Sequence, residues 1–276
     1  RMSDVTDPAD WLPAVVALAE EAGRKIMEVY ARGFDIEQKQ DRSPLTEADM
    51  AAHHVINAGL NRLAPGVPVL SEEAADIPYA TRALWRRYWL VDPLDGTREF
   101  IKRNGEFTVN IALIIDHQPV LGVIYVPVSG VGYYASAGRG AYRTAPGEAP
   151  RPIKVRPWHG GRIAVAGSRS HRDESFDRFL AQFADYEIIS MGSSLKSCLV
   201  AEGKADIYPR LGPTSEWDTA AAQCVVEEAG GKLLDMQLAP LRYNTKDSLL
   251  NPFFIVCGDT RQNWAKYLPK DIVGSG

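Results

Sequence analysis

The stretch Trp89-Leu90-Val91-Asp92-Pro93-Leu94-Asp95-Gly96-Thr97 decides how this chain is read. The apolar run over 88–91 predicts a buried strand that delivers Asp92 to its end. Pro93 has no N–H to donate and ends the ladder there. Asp95-Gly96 then bends the chain sharply. Two carboxylates three residues apart, on one rigid turn, converge on one point in space. An all-oxygen ligand set of that kind suits a hard cation such as magnesium. Taken alone, the same residues also describe an Asp-Gly turn closing a strand. Three further acidic positions, each at a strand end or helix start, tip the balance: Asp49, Glu72-Glu73 and Asp218.

Upstream of that stretch, Val67-Pro68-Val69-Leu70 predicts a short strand that ends at Ser71-Glu72-Glu73. Thr46-Glu47-Ala48-Asp49 fits a capping box that opens a helix, after an extended loop over 41–45. Before it, Asp7-Pro8 starts a first helix with Leu12, Val15, Ala19, Ala22, Ile26 and Val29 at helical spacing, ending near Tyr30. Downstream, apolar runs over 107–115 and 120–126 predict a hairpin with a four-residue connection, Asp116-His117-Gln118-Pro119. Further antiparallel strands follow over 131–136 and 140–143. The proline- and glycine-rich stretch 144–152 is read as a loop. It separates an α+β half, 8–150, from a half, 151–270, in which strand and helix alternate. The strands of that second half are expected over 162–166, 186–189, 205–208 and 253–256. Its helices are expected over 173–183, 194–202, 217–229 and 260–268. Asp218 falls in the first turn of the helix over 217–229, where the dipole favours a carboxylate. Gly230-Gly231 closes that helix.

The 276 residues are 45% hydrophobic and 24% charged, with a net charge of −4. No basic surface argues for a nucleic-acid polymer as partner. A phosphate-handling enzyme can still be acidic, because metal ions supply the local positive charge. The three cysteines, Cys198, Cys224 and Cys257, form no C-x-x-C pair and no framework, which fits free thiols and a cytoplasmic location. No apolar run approaches the ~20 residues of a transmembrane segment, and residues 1–10 lack a signal-peptide core. Gly138-Arg139-Gly140 lacks the G-K-[ST] of a phosphate loop.

Taken together, Ser43-Pro44-Leu45-Thr46-x-x-Asp49, Ser71-Glu72-Glu73, Asp92-Pro93-Leu94-Asp95-Gly96-Thr97, Trp217-Asp218-Thr219-Ala220-Ala221 and Ala229-Gly230-Gly231 resemble the inositol monophosphatase superfamily, in the family's order. The resemblance implies an α+β fold, a layered αβαβα sandwich of the inositol monophosphatase/fructose-1,6-bisphosphatase type. It implies that Glu72, Asp92 and the carbonyl of Leu94 hold one magnesium ion. Asp92, Asp95 and Asp218 hold a second, and some members bind a third, weaker ion near Glu72. Asp49 and Thr97 are implied to be a hydrogen-bonded catalytic pair acting on the attacking water. The phosphate would lie over the N–H groups of Gly96 and Thr97. Lithium inhibition is a family expectation.

Three stretches of the second half resemble the bacterial 3'(2'),5'-bisphosphate nucleotidases. They are Met191-Gly192-Ser193-Ser194-Leu195-Lys196, Ala205-Asp206-Ile207-Tyr208-Pro209-Arg210, and 212–218. The implied substrate is a small phosphate ester, adenosine 3',5'-bisphosphate, a by-product of sulfate assimilation, whose 3'-phosphate is removed. Lys196, Arg210, Ser193 and His171 are the candidates to grip its second phosphate and base, beside Glu72, Leu94, Asp95, Gly96, Thr97 and Asp218 at the scissile end. Lys196, Arg210 and His171 also read as ordinary helix-surface, strand-end and helix N-terminal residues. The acidic residue that inositol phosphatases place several positions before the Trp-Asp pair is absent here, where Leu211 stands seven before Asp218. An inositol or other sugar monophosphatase on the same metal site is the alternative. A non-catalytic metal- or nucleotide-binding regulator is disfavoured by the intact ligand set and the Asp49/Thr97 pair.

Overall fold

Alternation along the organising strand assigns the layers. A computed structural model of the chain describes residues 7–32, 43–168 and 172–269. It opens with α1 (Pro8–Ala31), α2 (Pro44–Leu63), β1 (Val69–Ser71), a 3-10 turn Glu72–Ala74, α3 (Tyr79–Arg82), β2 (Arg87–Asp95) and α4 (Thr97–Lys102). A meander follows: β3 (Thr108–Ile115), β4 (Gln118–Tyr125), β5 (Gly132–Ser136), β6 (Ala141–Thr144) and β7 (Arg151–Ile153). The second half runs β8 (Ile163–Ser168), α5 (Glu174–Leu180), β9 (Tyr186–Met191), α6 (Leu195–Ala201), β10 (Ile207–Arg210) and α7 (Glu216–Glu228). It ends with β11 (Lys232–Asp235), β12 (Phe254–Cys257) and a 3-10 turn Trp264–Tyr267.

The first sheet runs β1 to β7 in chain order, with β1 parallel to β2 and the rest antiparallel. Trp89 and Val91 of β2 face α1 and α2, in one core with Ala22, Ile26, Ile56 and Leu60. Tyr88 and Leu90, on the opposite face, pack with Cys198, Val225 and Val226 of α6 and α7. Fully burying each large apolar side chain of this kind contributes about 1.5–3 kcal/mol. The second sheet, β11-β12-β10-β8-β9, covers the far side of α6 and α7 through Tyr208 and Val256. Its outer face is closed by Phe176 and Phe179 of α5 with Trp158 and Trp264. The layers are therefore α1/α2, sheet, α6/α7, sheet, and α5 with the last turn: the αβαβα sandwich expected from the sequence.

Several elements differ from the expectation, each for a local reason. Ser43, not Thr46, caps α2, accepting from the Thr46 N–H at 3.2 Å, because Pro44 suits the first helical position. Asp49 consequently sits in the second turn, 7% exposed, rather than at the helix start. The β3–β4 connection is two residues, not four. Asp116 and His117 both take positive φ, 50° and 68°, and Pro119 lies in β4 at a register shift. The stretch read as a loop over 144–152 carries the start of an edge strand, β7, paired to β6. Strand β11 was absent from the sequence reading. Instead of a helix over 260–268 there is one 3-10 turn, since Trp264 and Tyr267 turn inward to the aromatic rings of Trp158 and Phe183.

Candidate active site

Pro93 does not end the ladder; it bulges it. Asp92 pairs with Asn110 and Asp95 with Thr108, so Pro93 and Leu94 stand opposite the single residue Val109. In an unbroken strand, residues 92 and 95 point to opposite faces. The extra residue resets the phase and brings both carboxylates to the α7 side. Asp218 meets them from the start of α7, in a capping box in which its Oδ2 accepts from the Ser215 N–H at 2.8 Å. One carboxylate oxygen each from Asp92, Asp95 and Asp218 lie within 4.8 Å of one another. Glu72, in the turn after β1, joins them through a hydrogen bond shared with Asp92.

The electrostatics of this cluster are one-sided. Burial, then repulsion from Asp95, Asp218 and Glu72, pushes the Asp92 carboxyl well above the carboxylate range. Burial and the Asp95 charge push Asp218 up to about 7. Burial also raises Glu72. Carboxylates this crowded and buried call for a cation, and an all-oxygen donor set fits a hard divalent ion. Asp49 stands behind Glu72-Glu73. Burial and a hydrogen bond with Glu73 push it up to about 9, while its Oδ1 is buried with no partner among the described residues. Glu73, not Thr97, is thus the partner Asp49 has in this structure. Asp49 is buried in the second turn of α2, and Thr97 is exposed at the start of α4.

The same cavity, about 280 Å³, has a cationic side. Lys196 of α6 is 7% exposed; its Nζ lies 5.5 Å from the centre of the Tyr208 ring and donates only weakly, at 3.5 Å, to the Met191 carbonyl. Burial pushes its ammonium below the ordinary lysine value, with Asp95 opposing and Arg210 reinforcing that shift. Arg210 donates from one terminal nitrogen to the Pro213 carbonyl at 3.3 Å, and its Nε is buried without a partner among the described residues. Ser193 takes φ 52° and donates to the carbonyls of Asp95 and Glu106. Gly96, at φ 92°, has no room for a side chain: a Cβ there would stand 2.2 Å from Ser193 Oγ.

A model of the inositol monophosphatase family matches residues 7–269. The chain belongs to the inositol monophosphatase family. The 3'(2'),5'-bisphosphate nucleotidase CysQ of Escherichia coli strain K12 is 51% identical to this family member over 248 residues, 89% of this chain and 98% of that protein. The nucleotidase CysQ of Haemophilus influenzae is 37% identical over 254 residues, 92% and 94% of the two chains. The crystal structure of CysQ from Bacteroides thetaiotaomicron superposes with a TM-score of 0.82 at 44% identity, covering 90% of this chain and 97% of that one. An inositol monophosphatase from Zymomonas mobilis gives 0.76 at 26% identity, covering 97% and 98%.

In this family member one cavity brings together Glu72, Asp92, Leu94, Asp95, Gly96, Thr97, Ser193, Lys196, Arg210 and Asp218, all singled out in the sequence. Asp49 is not among its lining residues, and His171 lies outside the described residues. The lining also includes Thr214 and Thr219, which the sequence reading missed. Thr219 follows Asp218 in the motif; its contact with the cavity becomes visible only once α7 is capped at Ser215.

Proposed function

We propose that the chain hydrolyses the 3'-phosphate of adenosine 3',5'-bisphosphate, yielding adenosine 5'-monophosphate and phosphate and so clearing a by-product of sulfur assimilation. The observation that carries this reading is the presence, in one cavity, of a carboxylate wall together with the buried Lys196 ammonium and the Arg210 guanidinium, whose Nε has no partner among the described residues. A substrate with a scissile phosphate at one end and a second anion at the other complements both. The 51%-identical relative bears the name of that nucleotidase, which supports the reading.

Glu72, Asp92, the Leu94 carbonyl, Asp95 and Asp218 would hold two magnesium ions, with a third near Glu72. When bound, the ions would supply positive charge to the phosphoryl oxygens, acidity to a water, and a counter-charge that lets Asp49 and Asp218 ionise near neutral pH. The N–H groups at Gly96 and Thr97 receive phosphate oxygens where the chain turns into α4. Asp49, with the Thr97 hydroxyl, orients the attacking water and accepts its proton. The water oxygen bonds to phosphorus as the bond to the 3'-oxygen breaks; that oxygen takes a proton from a solvent water, and the proton held by Asp49 returns to solvent. Lys196, Arg210, Ser193 and His171 hold the 5'-phosphate and base, so that the 3'-phosphate alone reaches the carboxylate wall.

Phosphate release with magnesium from adenosine 3',5'-bisphosphate and from inositol 1-phosphate, in parallel, tests the reading. A preference above about tenfold in kcat/KM for the nucleotide, roughly 1.4 kcal/mol, is expected. A preference for the inositol ester would keep the metal chemistry and overturn the substrate. Turnover of neither, with magnesium bound, would make the chain a regulator.

A further inference from the structure

One carboxylate oxygen of Asp95 is fastened by a chain of buried side chains that the proposed reaction does not use. The Thr108 hydroxyl donates to Asn110 Oδ1 at 2.9 Å. Asn110 Nδ2 donates to Ser194 Oγ at 2.7 Å and, at 3.3 Å, to Asp95 Oδ2. Ser194 donates to the same Oδ2 twice, from its hydroxyl at 2.8 Å and from its N–H at 3.0 Å. Thr108, Asn110 and Ser194 are 0%, 1% and 6% exposed. Each donor in the sequence Thr108, Asn110, Ser194 points toward the carboxylate, so each bond polarises the next.

The placement of these three residues is specific. Thr108 and Asn110 lie on the strand that pairs with β2 across the bulge, and Ser194 opens α6 from the other half of the chain. A polar chain in a packed interior is costly unless every donor is used. Here every bond to the Asp95 side chain in this chain of contacts falls on Oδ2. Turning the carboxylate about its axis would break three bonds at once and strand buried donors. Oδ1 accepts none of these bonds and is left as the oxygen open to a cation.

We infer that Asn110 and Ser194 are positioning residues that saturate Oδ2 of Asp95 and so present its Oδ1 to a divalent cation. This rests on the reading of Asp95 as a metal ligand. Partners that orient a ligating carboxylate in this way typically change metal affinity or activity by about 10- to 100-fold when removed. A residue that only tied α6 to the first sheet would lower stability and leave cation affinity alone.

The test is magnesium binding to the full chain by titration calorimetry, after chelator treatment and without substrate. Asp95→Asn is the control, with Ser194→Ala, Asn110→Ala, their double variant and Ser194→Thr alongside. Asp95→Asn is expected to lose most of the binding. Ser194→Ala is expected to weaken it about tenfold or more, and Ser194→Thr, which keeps the hydroxyl, to stay within about threefold. The double variant is expected to lose less than the product of the two single effects, because Asn110 acts partly through Ser194. In turnover, excess magnesium should restore most of the kcat of Ser194→Ala with little change in KM for the nucleotide. Wild-type affinity in Ser194→Ala and Asn110→Ala, with only a lowered Tm, would overturn the inference; either variant that folds suffices. Wild-type affinity in Asp95→Asn would instead overturn the reading of Asp95 beneath it, and the inference with it.

Discussion

On one side of the cavity, Asp92, Asp95 and Asp218 crowd carboxylate oxygens within 4.8 Å of one another. On the other, Lys196 and Arg210 hold cationic heads with donors left over. The acidic side is built from a strand end, a bulge and a helix start, all rigid. The cationic side is built from α6 and the end of β10, in the second sheet and the layer beneath it. Both sides bear a burial penalty, of opposite sign: it raises the carboxyls and lowers the lysine. Under the proposed function, this contrast assigns chemistry and selection to different residues of one cavity, with α7 and α6 of the same layer contributing to each. Each should fail separately when its own residues are changed.

The sharpest break of that comparison is Asp95→Asn. It should reduce turnover about a thousandfold, roughly 4 kcal/mol of transition-state stabilisation, with an unchanged circular dichroism spectrum. Unchanged turnover would remove the acidic side from the chemistry. Lys196→Ala and Arg210→Ala come next. Each should lower kcat/KM for the bisphosphate about 10- to 100-fold and that for adenosine 3'-monophosphate by less than about threefold. Equal losses on both esters would merge the two sides into one function.

A pH series sharpens the contrast further. In chelator, the folded chain keeps protons on Asp92 and Asp218 that the unfolded chain has released, because the folded-state values are raised. The unfolded state binds fewer protons, so stability falls as pH rises from about 4 through about 7. Thermal unfolding in chelator should show Tm declining across that window, and magnesium should flatten the decline. A Tm that rises with pH in chelator would contradict the crowding. The smallest effect is expected away from both sides: Ser43→Ala removes the α2 cap, costing about 1 kcal/mol and about 2–4 °C in Tm, with turnover intact. Differential scanning calorimetry and a phosphate-release assay check it.

What the sequence could carry was local. The strand over 88–91, the carboxylate pair after it and the acid in the first turn of α7 are set by neighbours a few residues away. The bulge is not, because Pro93 ends or bends a ladder depending on whether β3 resumes pairing at Thr108. The sequence places the cap of α2 at Thr46; Ser43 offers the same chemistry three residues earlier, and Pro44 at the first helical position decides for it. The partner of Asp49 is set by packing between α2 and the turn after β1, which no spacing records. The 3-10 turn at Trp264–Tyr267 took the place of a helix because four aromatic rings from distant segments share one core there.

The most direct test of the division between the two sides is one ratio: kcat/KM for adenosine 3',5'-bisphosphate over that for adenosine 3'-monophosphate, measured in the wild type and in Arg210→Ala at saturating magnesium. The account predicts a ratio above about tenfold that collapses toward one in the variant, with monophosphate turnover preserved. A wild-type ratio near one, or a ratio that survives the loss of Arg210 and of Lys196, would contradict it.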